Sequence, residues 1–189
     1  EMCDSDWSSD VCSSDLKLDK DKILEICEEV NGICEIANYN SPLQIVISGE
    51  KDAVKEAVNL SKEAGALKAI ELDVSGPFHS SLMEPAREKL SEEFNDINFN
   101  KADIPIVANV TADFEEDVDL IKENLLAQLT NSVRWEESMR LMIDNGIDTF
   151  IEIGPGRILK GLMKRIDKSV EFHNVYDIDS LNKTLAKLQ

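Results

Sequence analysis

Between Asp19 and Val74 the hydrophobic pattern switches repeatedly between a period of 3.6 and a period of 2, and few topologies accommodate that order. Ile23, Ile26, Cys27 and Val30 recur at i, i+3, i+4 and i+7, one face of a helix that Asn31-Gly32 closes. Ile33 to Tyr39 reads as a strand, Asn40-Ser41-Pro42 as a turn, and Leu43 to Ser48 as a returning strand broken by Gly49. Val54, Ala57 and Val58 mark a second helix ending at Gly65. Leu67 to Val74 is a third strand with Ile70, Leu72 and Val74 on one face. The order α-β-β-α-β is a ferredoxin-like β-α-β-β-α-β unit lacking its first strand.

That strand belongs where residues 1–16 lie, and those residues do not match the rest. They repeat Ser-Ser-Asp, follow neither period, and set Cys3 and Cys12 beside Trp7 among acids. The segment resembles translated sequencing-adapter read-through, expected to be disordered and outside the fold. A genuine acidic leader is the alternative. It has neither the positive start nor the apolar stretch of a signal peptide. On the first reading, the native amino-terminal part of the protein precedes this chain.

The third strand runs into Gly76-Pro77-Phe78-His79-Ser80-Ser81-Leu82-Met83, which holds one of only 2 histidines. Pro85 is tolerated only in a first helical turn, so a helix is predicted to begin just past His79. His79 therefore stands in a loop between two rigid elements. Imidazole titrates near neutrality and is the usual general base. Further on, Ile104 to Val110 reads as a buried strand, Val118 to Leu129 as a helix, and Trp135 to Ile143 as another. Thr149 to Ile153 is a strand entering Gly154-Pro155-Gly156 and a helix from Arg157 to Ile166. Val170 to Tyr176 and Ser180 to Leu188 follow as strand and helix. This alternation predicts a parallel α/β sheet.

Composition removes several functions. With 189 residues and a net charge of −18, the chain lacks the basic face that nucleic acid or anionic lipid requires. No apolar run reaches the ~18 residues of a membrane span. No CxxC or Cys/His spacing indicates a metal or a disulfide framework. A cytoplasmic location is expected.

Five stretches carry a resemblance. They are Ala37-Asn38-Tyr39-Asn40-Ser41-Pro42 with Gln44 to Gly49, Gly76 to Ser80, Pro105 to Val110, Gln128-Leu129 with Val133-Arg134-Trp135, and Glu152 to Gly156. Together they resemble the malonyl-CoA:acyl carrier protein transacylase family of fatty acid synthesis, over residues 17–189. The resemblance implies an α/β fold: an α/β-hydrolase-like acyltransferase lobe, incomplete here and comprising residues 76–189, with the ferredoxin-like small lobe in residues 17–75. It implies malonyl transfer from coenzyme A to acyl carrier protein through an acyl-serine, with no cofactor beyond the thioester substrate. His79 matches the family's base, Gln128 the residue whose main-chain carbonyl orients it, Asn40 a polar contact at the substrate cleft, and Phe78 the ring beside the acyl group.

The departures are equally specific. The chain has no Gly-x-Ser-x-Gly nucleophile elbow, no matching carboxylate-binding arginine and no oxyanion-hole loop. It is expected to hold the histidine half of a site and to be inactive alone. Two other readings stay open: a non-catalytic acidic interaction module, and an acyltransferase domain of a polyketide synthase. Gly154-Pro155-Gly156 suits a tight turn or a phosphate cradle at a helix start. Arg157, Lys160, Lys164, Arg165 and Lys168 suit docking of an acidic carrier protein or compensation of a helix dipole.

Overall fold

The computed structural model describes residues 18–72 and 74–188, and the backbone of residues 7–11. Cys3, Cys12 and Asp73 lie outside the described residues. The chain forms two compact units, Glu1–Ser138 and Met139–Gln189; the boundary expected between residues 75 and 76 falls inside the first.

The first unit opens with β1 (Trp7–Val11), α1 (Lys20–Glu29), β2 (Cys34–Ser41), β3 (Gln44–Glu50), α2 (Lys51–Glu63) and β4 (Ile70–Glu71). The four strands form one sheet in the order β2-β3-β1-β4. β1 stands where a strand was expected to be missing, so residues 7–11 of the segment expected outside the fold lie in the sheet, and residues 1–6 and 12–16 lie outside the described residues. It runs antiparallel to β3, from Trp7 opposite Glu50 to Val11 opposite Val46. The slot between β3 and β4 asks only for backbone donors and acceptors, which every residue but proline supplies. Strand formation there needs no alternating side-chain pattern, so the pattern did not reveal it.

Asp19 caps α1 by accepting the Lys22 amide at 2.9 Å. α1 and α2 lay Ile23, Ile26, Cys27, Val54 and Ala57 against Ile36 of β2 and Ile45 and Ile47 of β3. Full burial of each large aliphatic side chain contributes about 1.5–3 kcal/mol. Gly49 is obligatory on β3, since a Cβ there would lie 2.0 Å from the Ile33 carbonyl oxygen. Cys27 and Cys34 face each other within this core as free thiols, their sulfurs 3.6 Å apart. The hydrogen bond to Cys27, and then burial, push the Cys34 thiol well above its usual range.

Two predicted strands are shorter than their apolar runs. Among the described residues β4 pairs only with β1 and only at two positions, so Leu67 to Ala69, Leu72 and Val74 stay out of the ladder. The run Ile104 to Val110 yields β5 (Ile106–Val107), paired with β6 (Phe114–Glu115) alone. Ile104 is 78% exposed, so the expectation of a buried strand is not met. β5 is as short as its partner β6, whereas β4 uses two of the five positions that β1 offers.

A 3₁₀ turn at Ser81–Met83 leads into α3 (Glu84–Glu93), with Pro85 in its first turn as expected. α4 (Val118–Ala127) is capped by Asp117, which accepts the Leu120 amide at 3.0 Å. α5 (Trp135–Asp144) contains the division between the units. The second unit adds β7 (Thr149–Ile153), α6 (Ile158–Ile166), β8 (Glu171–Val175) and α7 (Ile178–Leu188). β7 and β8 are parallel with Ile151 opposite His173, while Ile153 is 82% and Ile158 74% exposed. Among the described residues no helix is long and apolar enough to cross a membrane.

Candidate active site

His79 is built into an unusual backbone position. Its φ is +61°, the left-handed region that side chains with a Cβ avoid at a cost of roughly 1–2 kcal/mol. Its neighbours hold it there. The His79 amide donates to the Leu129 carbonyl at 3.1 Å, and its ring Nδ1 lies 2.7 Å from the Gln128 carbonyl. A carbonyl can only accept, so Nδ1 carries the proton and a neutral ring leaves Nε2 as the bare acceptor.

α4 explains why those two carbonyls are available. It ends at Ala127, and the last carbonyls of a helix have no partner within it. Gln128 and Leu129 follow directly and turn theirs to His79. Aligned peptides also place about half a negative charge at such a terminus. The ring is therefore oriented by a neutral group backed by a helix dipole.

The loop is fixed from its other side too. Ser80 is fully buried and its hydroxyl donates to the Pro77 carbonyl at 2.6 Å, which commits that oxygen to the turn. The Ser81 amide donates to Glu35 Oε2 on β2 at 2.6 Å. Gln128's side chain plays a separate part, its Oε1 accepting from Asn109 Nδ2 at 3.1 Å. Beside Asn109 and Gln128 lies a cavity of about 180 Å³ walled by Val107, Ile121 and Leu125.

Of the four residues expected at the site, the structure joins His79 to Gln128. Asn40 is half-buried on β2, and Phe78 is 46% exposed. Sequence reasoning missed Asn109, Leu129 and Glu35. Asn109 sits inside the Pro105 to Val110 stretch and Leu129 beside Gln128, so proximity to those stretches was the available signal. Glu35, one polar residue on an alternating strand, offered none. Arg134 is engaged elsewhere. It donates to the Thr111 carbonyl at 2.8 Å and pairs with Glu137, while its amide reaches the Asn109 carbonyl at 2.9 Å.

The phosphate-cradle reading of Gly154-Pro155-Gly156 is overturned. Glu152 is buried and accepts the Leu159 and Lys160 amides at 3.1 and 3.3 Å, so the donors at the start of α6 already hold a carboxylate. Gly154 and Gly156, with φ of +144° and +90°, form the tight turn.

Among the described residues the His79 ring has its one hydrogen bond at Nδ1, to the Gln128 carbonyl. The chain belongs to the acyl transferase domain family, which matches residues 22–181. It is 41% identical over 177 residues to the malonyl CoA-acyl carrier protein transacylase of Bacillus subtilis (strain 168), an alignment covering 92% of this chain and 56% of that protein. A Staphylococcus aureus (strain COL) protein of the same name is 42% identical over 169 residues, covering 88% of this chain and 55% of its own length. The chain thus spans little more than half of these curated relatives. Among solved structures, the PlMCAT:AntF complex, a type II PKS acyl-carrier protein with its malonyl-transacylase, superposes with a TM-score of 0.92 at 38% identity, covering 97% of this chain and 59% of the other. The acyl-carrier-protein-S-malonyltransferase of Bartonella henselae gives a TM-score of 0.91 at 38% identity, with 97% and 58% covered.

Proposed function

We propose that this chain carries the histidine-bearing half of a malonyl-CoA:acyl carrier protein transacylase. The observation behind the reading is the bond from His79 Nδ1–H to the Gln128 carbonyl at 2.7 Å. Nε2 then takes the proton of a serine hydroxyl as its oxygen attacks the malonyl thioester carbon. The tetrahedral intermediate collapses, the carbon–sulfur bond breaks, and the proton passes to the departing coenzyme A thiolate. The carrier protein's thiol repeats both steps in reverse. The serine, which no Gly-x-Ser-x-Gly in this chain provides, belongs to the half of the relatives that the chain does not span. The order β2-β3-β1-β4 supports a ferredoxin-like small lobe at the start of the chain. The later elements are then part of an α/β-hydrolase-like lobe. Asn40 is proposed to contact substrate at the cleft.

Residues 18–189 joined to the remaining amino-terminal half of the Bacillus subtilis relative test this. The hybrid is expected to transfer malonyl from coenzyme A to acyl carrier protein, and the 189-residue chain to transfer none. His79→Ala in the hybrid is expected to lower turnover by about 10²–10⁴-fold; an undiminished rate rejects the assignment. Phe78 next to the base is proposed to crowd a methyl branch on the acyl carbon. Phe78→Ala should narrow discrimination between malonyl and methylmalonyl by about tenfold, within the range one methylene allows, and unchanged selectivity removes Phe78 from the pocket.

A second reading, with a type II polyketide carrier protein as acceptor, has the PlMCAT:AntF likeness behind it. Competition between the two carriers for the malonyl-hybrid separates them.

A further inference from the structure

The second unit holds a cavity for which the transacylase reading has no use. It measures about 310 Å³ and opens between α6, β8 and α7. Arg157, Lys160, Lys183 and Lys187 line it, and no carboxylate does. In a chain of net charge −18, four cations around one small space are conspicuous. Like charges at such separations repel, and the arrangement is favourable only when an anion sits among them.

The protein supplies little compensation of its own. Lys160 Nζ donates to the uncharged Phe172 carbonyl at 2.9 Å. The Arg157 guanidinium stands over the Tyr176 ring at 5.9 Å from its centroid. Lys183 and Lys187 are exposed and make no ion pair among the described residues. Of the nearby acids, Glu152 holds the amides opening α6, Glu171 lies beside His173, and Asp177 has its carboxyl pKa lowered first by the hydrogen bonds from Ser180 and only to a lesser degree by Lys183.

A second observation points the same way. His173 also lines the cavity and is only 6% exposed. Its Nε2 lies 3.1 Å from Glu171 Oε1, yet in a direction that makes no hydrogen bond, so this buried nitrogen lacks a hydrogen-bond partner. A buried polar atom left without a partner is costly, and a ligand oxygen in the cavity relieves the cost.

We propose that this cavity binds a phosphate-bearing small molecule. Arg157, Lys160, Lys183 and Lys187 take its oxygens by charge-assisted hydrogen bonds, and His173 donates from within. A concave space of this size suits a small anion better than a protein surface. The phosphate can belong to a free polyphosphate or to a nucleotide ester, and the chemistry of capture is the same. This inference stands apart from the assignment of His79.

Isothermal titration of the 189-residue chain at low ionic strength tests it, with inorganic pyrophosphate and adenosine 3′,5′-bisphosphate as probes. Saturable binding of at least one is expected; tighter binding of the nucleotide identifies an ester as the ligand, and tighter pyrophosphate binding a free anion. The Lys183→Gln, Lys187→Gln double variant alters only exposed side chains. It should bind at least about tenfold more weakly, the scale of a lost charged hydrogen bond, with an unchanged circular dichroism spectrum. Lys168→Gln, half that charge change and outside the cavity, should shift affinity less than about twofold. No heat with either probe overturns the proposal, as does a Lys168→Gln effect equal to that of the double variant. Binding of an oligoglutamate peptide with no response to either phosphate overturns it too, by making the surface a protein-docking one.

Discussion

At the scale of single residues, His79 is held by main-chain groups, which changes what a substitution can reveal. The Gln128 carbonyl faces the ring and survives any side-chain change, while the side chain faces Asn109. Gln128→Ala in the hybrid enzyme is therefore expected to keep its rate within about tenfold, far above the level of His79→Ala. A loss as deep as that of His79→Ala would transfer the orienting role to the side chain. Gln128 stood out through its family stretch, and the availability of its carbonyl follows from the helix that ends just before it. The left-handed His79 backbone was not legible. Nothing in Phe78-His79-Ser80 favours a positive φ, and the strain is borne only because carbonyls from residues 128 and 129, far along the chain, receive both its N–H groups.

At the scale of elements, helices were read more faithfully than strands. α1, α2 and α4 follow their own 3.6-residue stripes, and α1 and α4 their aspartate caps, information that is local. β5 takes its length from β6, and β4 pairs at only two positions of β1, information that a run of apolar residues does not contain. The packing of α1 on β2 also yields a pH prediction through the Cys27–Cys34 pair. The folded Cys34 thiol has its pKa raised by its hydrogen bond and burial. Its contribution is complete below the unfolded thiol's value, about 8.5, and is lost as pH climbs above it, because the unfolded chain ionises while the folded one does not. Thermal unfolding should thus move to lower temperature between about pH 8 and pH 10, by up to about 1.4 kcal/mol per pH unit. Cys34→Ala should flatten that slope; a slope unaltered in the variant would assign it to other groups.

At the scale of the whole molecule, apolar surface is the dominant fact about the chain by itself. Ile104, Ile153, Ile158 and Ile178 are each 74–82% exposed, and β7 and β8 form a two-stranded sheet with open edges. Exposed edges and aliphatic patches of this kind favour association. Sedimentation velocity of the 189-residue chain should show species that grow with concentration, whereas the hybrid should sediment as a smaller and more uniform species. A monodisperse monomer of the chain over a hundredfold range of concentration would contradict this.

The seat of β1 has a mechanical meaning as well. Among the described residues β4 is an edge strand with β1 as its neighbour, and a few residues beyond β4 the chain reaches Gly76, Pro77 and the histidine. Residues 7–11 thus act as a splint. Trimming the chain at residue 17 unfastens one end of the leash on which His79 hangs and leaves the other end tied at residues 128 and 129. Backbone amides of residues 70–76 in the trimmed chain should exchange hydrogen faster than in the full chain, while the His79 amide keeps its protection. Whatever the origin of those residues, where the chain is cut decides how firmly its one catalytic candidate is anchored.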